Sequence, residues 1–190
     1  GESSLRQLDL PLRLVGAESS ARIVTKGGMS REGGRWIPDG RAKALRADCE
    51  ASLVALDGLP IDLYLVHAPD PGTPWRTSVR ALARILDDGL VRHVGLANVT
   101  RDQLDEALGH ASITAVEVAL SPFDDRARRG GVVERCSEAD VTVIAHSPLG
   151  GPRRVARLER HEALADAARA HGASAAEVAL AWLLGLAHGL

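Results

Sequence analysis

Ile61-Asp-Leu-Tyr-Leu-Val-His67, then Thr73-Pro74 leading into Trp75 to Leu86, then Val91-Arg-His-Val-Gly-Leu-Ala-Asn98: this stretch decides the fold. Its two outer runs are rich in aliphatic and β-branched residues and are apolar on both parities, as strands covered on both faces are. Thr73-Pro74 is a helix-start signal, because a proline in the first turn gives up only an amide that has no partner there. Strand, helix and strand in this order make one crossover unit of a parallel sheet.

The pattern extends in both directions. Upstream, Arg22-Ile-Val-Thr-Lys26 is a further strand. Arg41 to Leu56 places Ala44, Leu45, Cys49, Leu53 and Leu56 on one helical stripe after the turn Pro38-Asp39-Gly40. Downstream, Thr100-Arg-Asp-Gln103 fits a capping box and opens a helix through Leu108. Ile113-Thr-Ala-Val-Glu-Val-Ala-Leu120 and Val141-Thr-Val-Ile-Ala-His-Ser147 are strands, with a helix over 129–139 between them after Gly130-Gly131. Glu162 to Ala170 reads as an Ala-rich helix ended by Gly172. Ser174-Ala-Ala-Glu177 caps a last helix, and its nearly unbroken apolar content (Val178, Leu180, Ala181, Trp182, Leu183, Leu184) predicts that it is well buried.

Composition sets the class. The chain has 190 residues, 45% hydrophobic and 25% charged, and is read as a single domain over 1–190. A formal charge of −2 lacks the basic excess of a nucleic-acid binder. No apolar run approaches the roughly 18 residues of a membrane helix. Gly1-Glu-Ser-Ser4 has no signal-peptide character, and Cys49 and Cys136 lie too far apart for a chelating C-x-x-C pair. The expectation is a cytoplasmic protein without metal, partnered by neither nucleic acid nor membrane. Only Lys26 and Lys43 are lysines among 23 basic residues.

The carboxyl ends of the five runs carry Lys26, His67, Asn98, Glu117 and His146. In parallel α/β proteins this is the edge where ligands bind. Each residue also has a plain structural reading: a snorkelling lysine, a satisfied core histidine, a turn-forming asparagine. The sharper readings are a charge that shifts a neighbour's pKa, a donor to a substrate carbonyl, and an amide that reads another amide.

Ile23-Val-Thr-Lys26, Asp62-Leu-Tyr-Leu-Val-His67, Gly95-Leu-Ala-Asn98 and Ile144-Ala-His-Ser-Pro-Leu149 resemble, in order and spacing, the motif set of the aldo-keto reductases. Asp48-Cys-Glu-Ala-Ser-Leu53 and Gly89-Leu-Val-Arg-His-Val-Gly95 add to the likeness. The resemblance implies a (β/α)8 barrel that reduces small-molecule aldehydes and ketones with NADP(H) by hydride transfer. It makes Lys26 the lysine that lowers the pKa of an acid tyrosine, and His67 the group that orients the carbonyl. Asn98 matches the residue that holds the nicotinamide carboxamide, beside Ala97 in place of the usual serine. Glu117 stands where the family has glutamine; a carboxylate accepts from the amide NH2 but does not donate to its C=O. His146 stands where a tyrosine commonly stacks on the nicotinamide. Ser147 and Leu149 match the loop along the ribose and pyrophosphate. Arg153 and Arg154, which follow, are either phosphate clasps or an exposed basic loop.

The family's acid tyrosine and its aspartate partner fall upstream of Lys26, so Gly1-Glu2 resembles the tail of the tyrosine-bearing stretch. The chain is therefore expected to be a partial barrel of about five strands, lacking the first two and the last. Tyr64 does not stand in for the acid: if His67 faces inward, so do Leu65 and Leu63, and Tyr64 and Asp62 face outward. Without the acid, turnover is expected to fall about 10²–10⁴-fold, leaving this chain barely active. Open parallel edges predict instability, an oligomer, or membership of a larger polypeptide. The alternatives are a degenerate reductase fold that binds a nucleotide or a protein, and an open doubly wound sheet of other activity.

Overall fold

The computed structural model describes residues 21–186. Five short strands form one sheet. They are β1 (Val24–Gly27), β4 (Leu63–Val66), β5 (His93–Ala97), β6 (Ile113–Ala119) and β7 (Thr142–His146). Sheet neighbours follow chain order, and β1 pairs β4, and β6 pairs β7, in parallel register. Each strand lies within a run read from the sequence except that β1 reaches one residue further, to Gly27, and the fold is α/β with five parallel strands.

Helices α1 (Ala42–Ala55), α2 (Trp75–Asp87) and α3 (Arg101–Leu108) follow β1, β4 and β5. After β6 come α4 (Arg126–Arg129) and α5 (Val132–Glu138). The single helix expected over 129–139 is split, because Gly131 sits at φ +74° and breaks the ladder. Beyond β7 lie a 3₁₀ segment (Val155–Arg160), α6 (Glu162–His171) and α7 (Ala175–Gly185). Both capping boxes form: Thr100 and Ser174 each accept from the amide three residues on, and Gln103 and Glu177 accept the reciprocal amides.

Two expectations need correction. The sequence reading missed an antiparallel hairpin, β2 (Met29–Glu32) and β3 (Arg35–Pro38), turning at Gly33-Gly34 directly after β1. Its base is closed by the Asp39 amide donating to the Gly28 carbonyl at 2.8 Å. The last helix is not buried all round. Ala175, Ala179 and Leu183 make one buried stripe, whereas Leu180, Trp182 and Leu184 are 41%, 36% and 64% exposed.

The described residues fall into two compact units. One ends at Gly95 and also takes in His110–Ser112; its core contains Leu45, Cys49, Tyr64, Leu65, Val79 and Leu82, all fully buried. The other holds Leu96–Gly109 and runs on from Ile113, with Leu104, Val116, Leu120 and Cys136 fully buried.

Candidate active site

The residues singled out from the sequence fall into two sets, one in each unit. In the first, Lys26 is the penultimate residue of β1 and stands opposite Leu65 in the parallel register. His67 follows β4 directly, and its amide donates to the Gly27 carbonyl at 2.9 Å. Strand alternation puts His67 on the same face as Leu65, and so on the face of Lys26. Both residues are half-buried.

Tyr64 lies on the opposite face. Its side chain is fully buried and its hydroxyl donates to the Leu45 carbonyl of α1 at 2.7 Å. Burial pushes its pKa up, so it remains a neutral phenol. Asp62, at the amino end of β4, accepts from the Ile23 amide at 2.8 Å and from Arg92 at 2.8 Å and Arg22 at 3.3 Å. Those bonds, the Ile23 amide foremost, hold its carboxyl below the usual range. It anchors the end of the sheet away from Lys26 and His67.

Two carboxylates brace the loops at the carboxyl ends of these strands, and sequence reasoning did not assign either role. Asp48 of α1 accepts from the Gly28 amide at 2.8 Å. Asp70 accepts from the Gly40 and Gly72 amides at 2.9 and 2.7 Å and from the Thr73 hydroxyl at 2.7 Å. The Thr73 hydroxyl leads in holding the Asp70 carboxyl below its ordinary range. Ser78, fully buried, donates to the Gly40 carbonyl at 2.7 Å, so the entry to α1 and the loop after His67 are tied at one glycine. A Cβ on Gly40 would stand 2.5 Å from the Ser78 Oγ.

The second set is more open. Asn98 follows β5 with an exposed side chain and a left-handed backbone, φ +57°, which asparagine tolerates better than most residues. Its amide donates to the Glu117 carbonyl at 2.9 Å. Glu117 is half-buried and stands opposite Ile144, while His146 stands opposite Ala119. By alternation Glu117 and His146 therefore share one face of the β6–β7 pair. His146 is exposed, and its Nε2 lies 3.5 Å from the Ser147 hydroxyl. Ser147 has φ +53°, a second non-glycine residue in a sparsely populated conformation at a strand end. Leu149 packs against Leu158, Leu164, Ala175 and Ala179. Arg153 is exposed, whereas Arg154 donates to the Phe123 carbonyl at 3.0 Å.

A cavity of about 360 Å³ opens beside Asn98, lined also by Thr100, Val118, Ala119, Asp124 and Arg126. Arg126 grips Asp124 through two parallel bonds of 2.9 and 2.7 Å. The thiols offer no nucleophile: burial pushes Cys49 and Cys136 up to about 11. Among the described residues no group of His, Cys, Asp or Glu is placed to hold a metal ion, and no helix is long and apolar enough to cross a membrane.

Comparison with known proteins adds a family. The profile of the Aldo/keto reductase family matches residues 12–188. An uncharacterized oxidoreductase of Schizosaccharomyces pombe is 30% identical over 164 residues, covering 85% of this chain and 52% of its own. The crystal structure of a thermostable aldo-keto reductase in complex with the inhibitor epalrestat is 33% identical with a TM-score of 0.70, covering 79% of this chain and 55% of its own. An aldo/keto reductase from Klebsiella pneumoniae, solved with NADP and acetate, is 23% identical with a TM-score of 0.65, covering 84% of this chain and 54% of its own. The chain spans about half the length of the curated relatives it matches.

Proposed function

The chain belongs to the aldo/keto reductase family, and from that premise we propose that it carries the lysine and histidine of an NADP(H)-dependent oxidoreductase acting on small aldehydes or ketones. The observation that supports this most directly is the β1–β4 register, which gives Lys26 and His67 the same sheet face at the carboxyl ends of adjacent strands. The ammonium of Lys26 is a fixed positive charge that lowers the pKa of a neighbouring acid. The imidazole of His67 donates to the carbonyl oxygen, on which negative charge grows during reduction.

The second set suits a nicotinamide dinucleotide chemically. Asn98 brings both an amide donor and an acceptor, Ser147 a hydroxyl, and Arg153 an exposed guanidinium suited to a phosphate. When bound, a reduced nicotinamide supplies the hydride. Asn98 would orient the carboxamide, Glu117 would accept from its NH2, His146 would offer a flat imidazole face, and Ser147, Leu149 and Arg153 would hold the ribose and phosphates. The proton for the product alkoxide is not delivered by a tyrosine of these 190 residues, because the single one, Tyr64, is turned into α1. Turnover by these residues alone is therefore expected about 10²–10⁴-fold below that of a site with a positioned acid.

A titration of the chain with NADPH, followed by nicotinamide fluorescence, tests this reading alongside NADPH consumption over a panel of aldehydes and ketones. Saturable binding, weakened roughly tenfold in Asn98→Ala and in Arg153→Ala, is the expected result. The absence of both binding and consumption would overturn it. Two substitutions favour a second reading, a nucleotide-binding member without catalysis: Glu117 accepts but does not donate, and His146 offers less stacking area than a tyrosine. Binding that leaves NADPH unconsumed at any carbonyl concentration supports that second reading.

A further inference from the structure

We infer that Asp48 and Tyr64 are positioning residues for Lys26, acting through the two glycines that follow it; this rests on the role proposed for Lys26. The chain after Lys26 runs Gly27-Gly28, and neither glycine is incidental. A Cβ on Gly27 would stand 1.8 Å from the Tyr64 hydroxyl oxygen, 2.8 Å from Tyr64 Cζ and 2.8 Å from the Asp48 Cβ. The backbone behind Lys26 thus lies against the phenol with no room for a methyl group. Gly28 takes φ +83° and gives its amide to Asp48 at 2.8 Å. A Cβ there would stand 2.8 Å from a Leu45 methyl.

Both residues that do the holding belong to buried parts of the first unit. Tyr64 is fully buried and tethered to the Leu45 carbonyl at 2.7 Å. Asp48, half-buried, stands on α1 next to Cys49 and one turn after Leu45, both fully buried. The carbonyls of the two glycines are engaged as well, Gly27 by the His67 amide at 2.9 Å and Gly28 by the Asp39 amide at 2.8 Å. The two peptide planes that follow Gly27 are therefore fixed by α1, by the residue after β4 and by Asp39 at the base of the hairpin. With the chain held there and Lys26 itself paired opposite Leu65, the Cα–Cβ direction of Lys26 is set, and it points to the face away from Tyr64. The helix behind the sheet sets where the ammonium in front of it stands.

The chain has two lysines, Lys26 and Lys43. Lys43, exposed in the first turn of α1, is an internal reference for the reactivity of Lys26. Competitive reductive methylation of the native chain, read peptide by peptide by mass spectrometry, gives the Lys26:Lys43 rate ratio without any need for turnover. In Asp48→Ala the ratio is expected to change about threefold or more, the scale of one lost hydrogen bond. In Asp48→Asn, which keeps an acceptor for the Gly28 amide, it returns to near the starting value. Tyr64→Phe, which removes only the hydroxyl above Gly27, shifts the ratio in the same direction as Asp48→Ala and serves where Asp48→Ala fails to fold. An unchanged ratio in a folded Asp48→Ala or Tyr64→Phe chain overturns the inference, as does failure of asparagine to restore it. Because the readout is lysine reactivity, an absence of carbonyl reduction would count against the proposed function and leave this result standing.

Discussion

The loop after β1 and the loop after β7 follow strands of the same sheet, yet they are held by different means. After β1, each peptide of Gly27-Gly28 is engaged by another element: α1 through Asp48, β4 through His67, and the far side of the hairpin through Asp39. After β7, the bonds are mostly the loop's own. Gly150 donates back to Ser147 at 2.8 Å, and Arg154 and Val155 both donate back to Gly151, at 3.0 and 3.1 Å. A side-chain strap, Arg154 to the Phe123 carbonyl, reaches outward from it. The first loop leaves no space for a Cβ at Gly27; the second is tight at Gly150, where a Cβ would stand 2.6 Å from the Phe123 ring, and roomy at Gly151, where a Cβ would come no nearer than 3.6 Å, to the Ser147 hydroxyl. Lys26 thus stands on long-range bonds, while Ser147 and Arg153 stand on local turns, which open at far lower cost.

The sharpest way to break this contrast is a matched pair of glycine replacements. Gly27→Ala drives a methyl into Tyr64 and is expected to cost about 3 kcal/mol or more, as overpacking does. Gly151→Ala meets only ordinary van der Waals contact with Ser147 and suffers its φ of +73°, expected to cost about 1–2 kcal/mol. Equal urea midpoints for the two variants would erase the distinction. Next in size is Leu158→Ala. Leu158 is 2% exposed and belongs to the cluster that receives Leu149, so its loss is expected to cost about 2–3 kcal/mol. The same substitution should raise amide exchange at Ser147 to Leu149 and leave Gly27 and Gly28 protected. Ser174→Ala removes the cap of α7 and is expected to cost about 1 kcal/mol in the same denaturant titration.

A pH experiment sharpens the first half of the comparison. The folded-state pKa of Asp70 is lowered, so its contribution to stability is complete above the unfolded value of 3.8 and is lost as pH falls from there through the folded value. Asp70→Asn should flatten that part of the stability–pH curve while leaving the neutral region as the new baseline. A curve of unchanged slope would show that Asp70 is not part of the brace. The smallest expected effect is that of Arg153→Ala on stability, within about 0.5 kcal/mol, because the side chain is exposed.

Much of this was legible in the residues, for identifiable reasons. The five strands announce themselves through β-branched runs, and Thr100-x-x-Gln103 and Ser174-x-x-Glu177 mark helix starts by local chemistry alone. Tyr64 facing the helix layer follows from alternation with His67, and the bond to Leu45 bears it out. The hairpin escaped because Met29-Ser-Arg-Glu32 and Arg35-Trp-Ile-Pro38 carry too many charges to read as strands; the Gly33-Gly34 turn between them was the available signal. The burial of α7 was overread because apolar content reports what a helix is able to bury, whereas partners decide what it does bury. Asp48 and Asp70 were illegible as braces because their amide partners lie 20 and 30 residues away, at Gly28 and Gly40. Only folding brings those groups together.

The hairpin of 29–38 has a base sealed by Asp39 on Gly28 and a tip, Gly33-Gly34, with no atom within 4 Å of either virtual methyl. It is thus a cassette, clamped at its root and unconstrained at its crown. Insertions or swaps at the crown should propagate neither into Lys26 on one side nor into α1 on the other. Descendants of this sequence are free to vary Arg31, Trp36 and the turn while the lysine beneath them keeps its station.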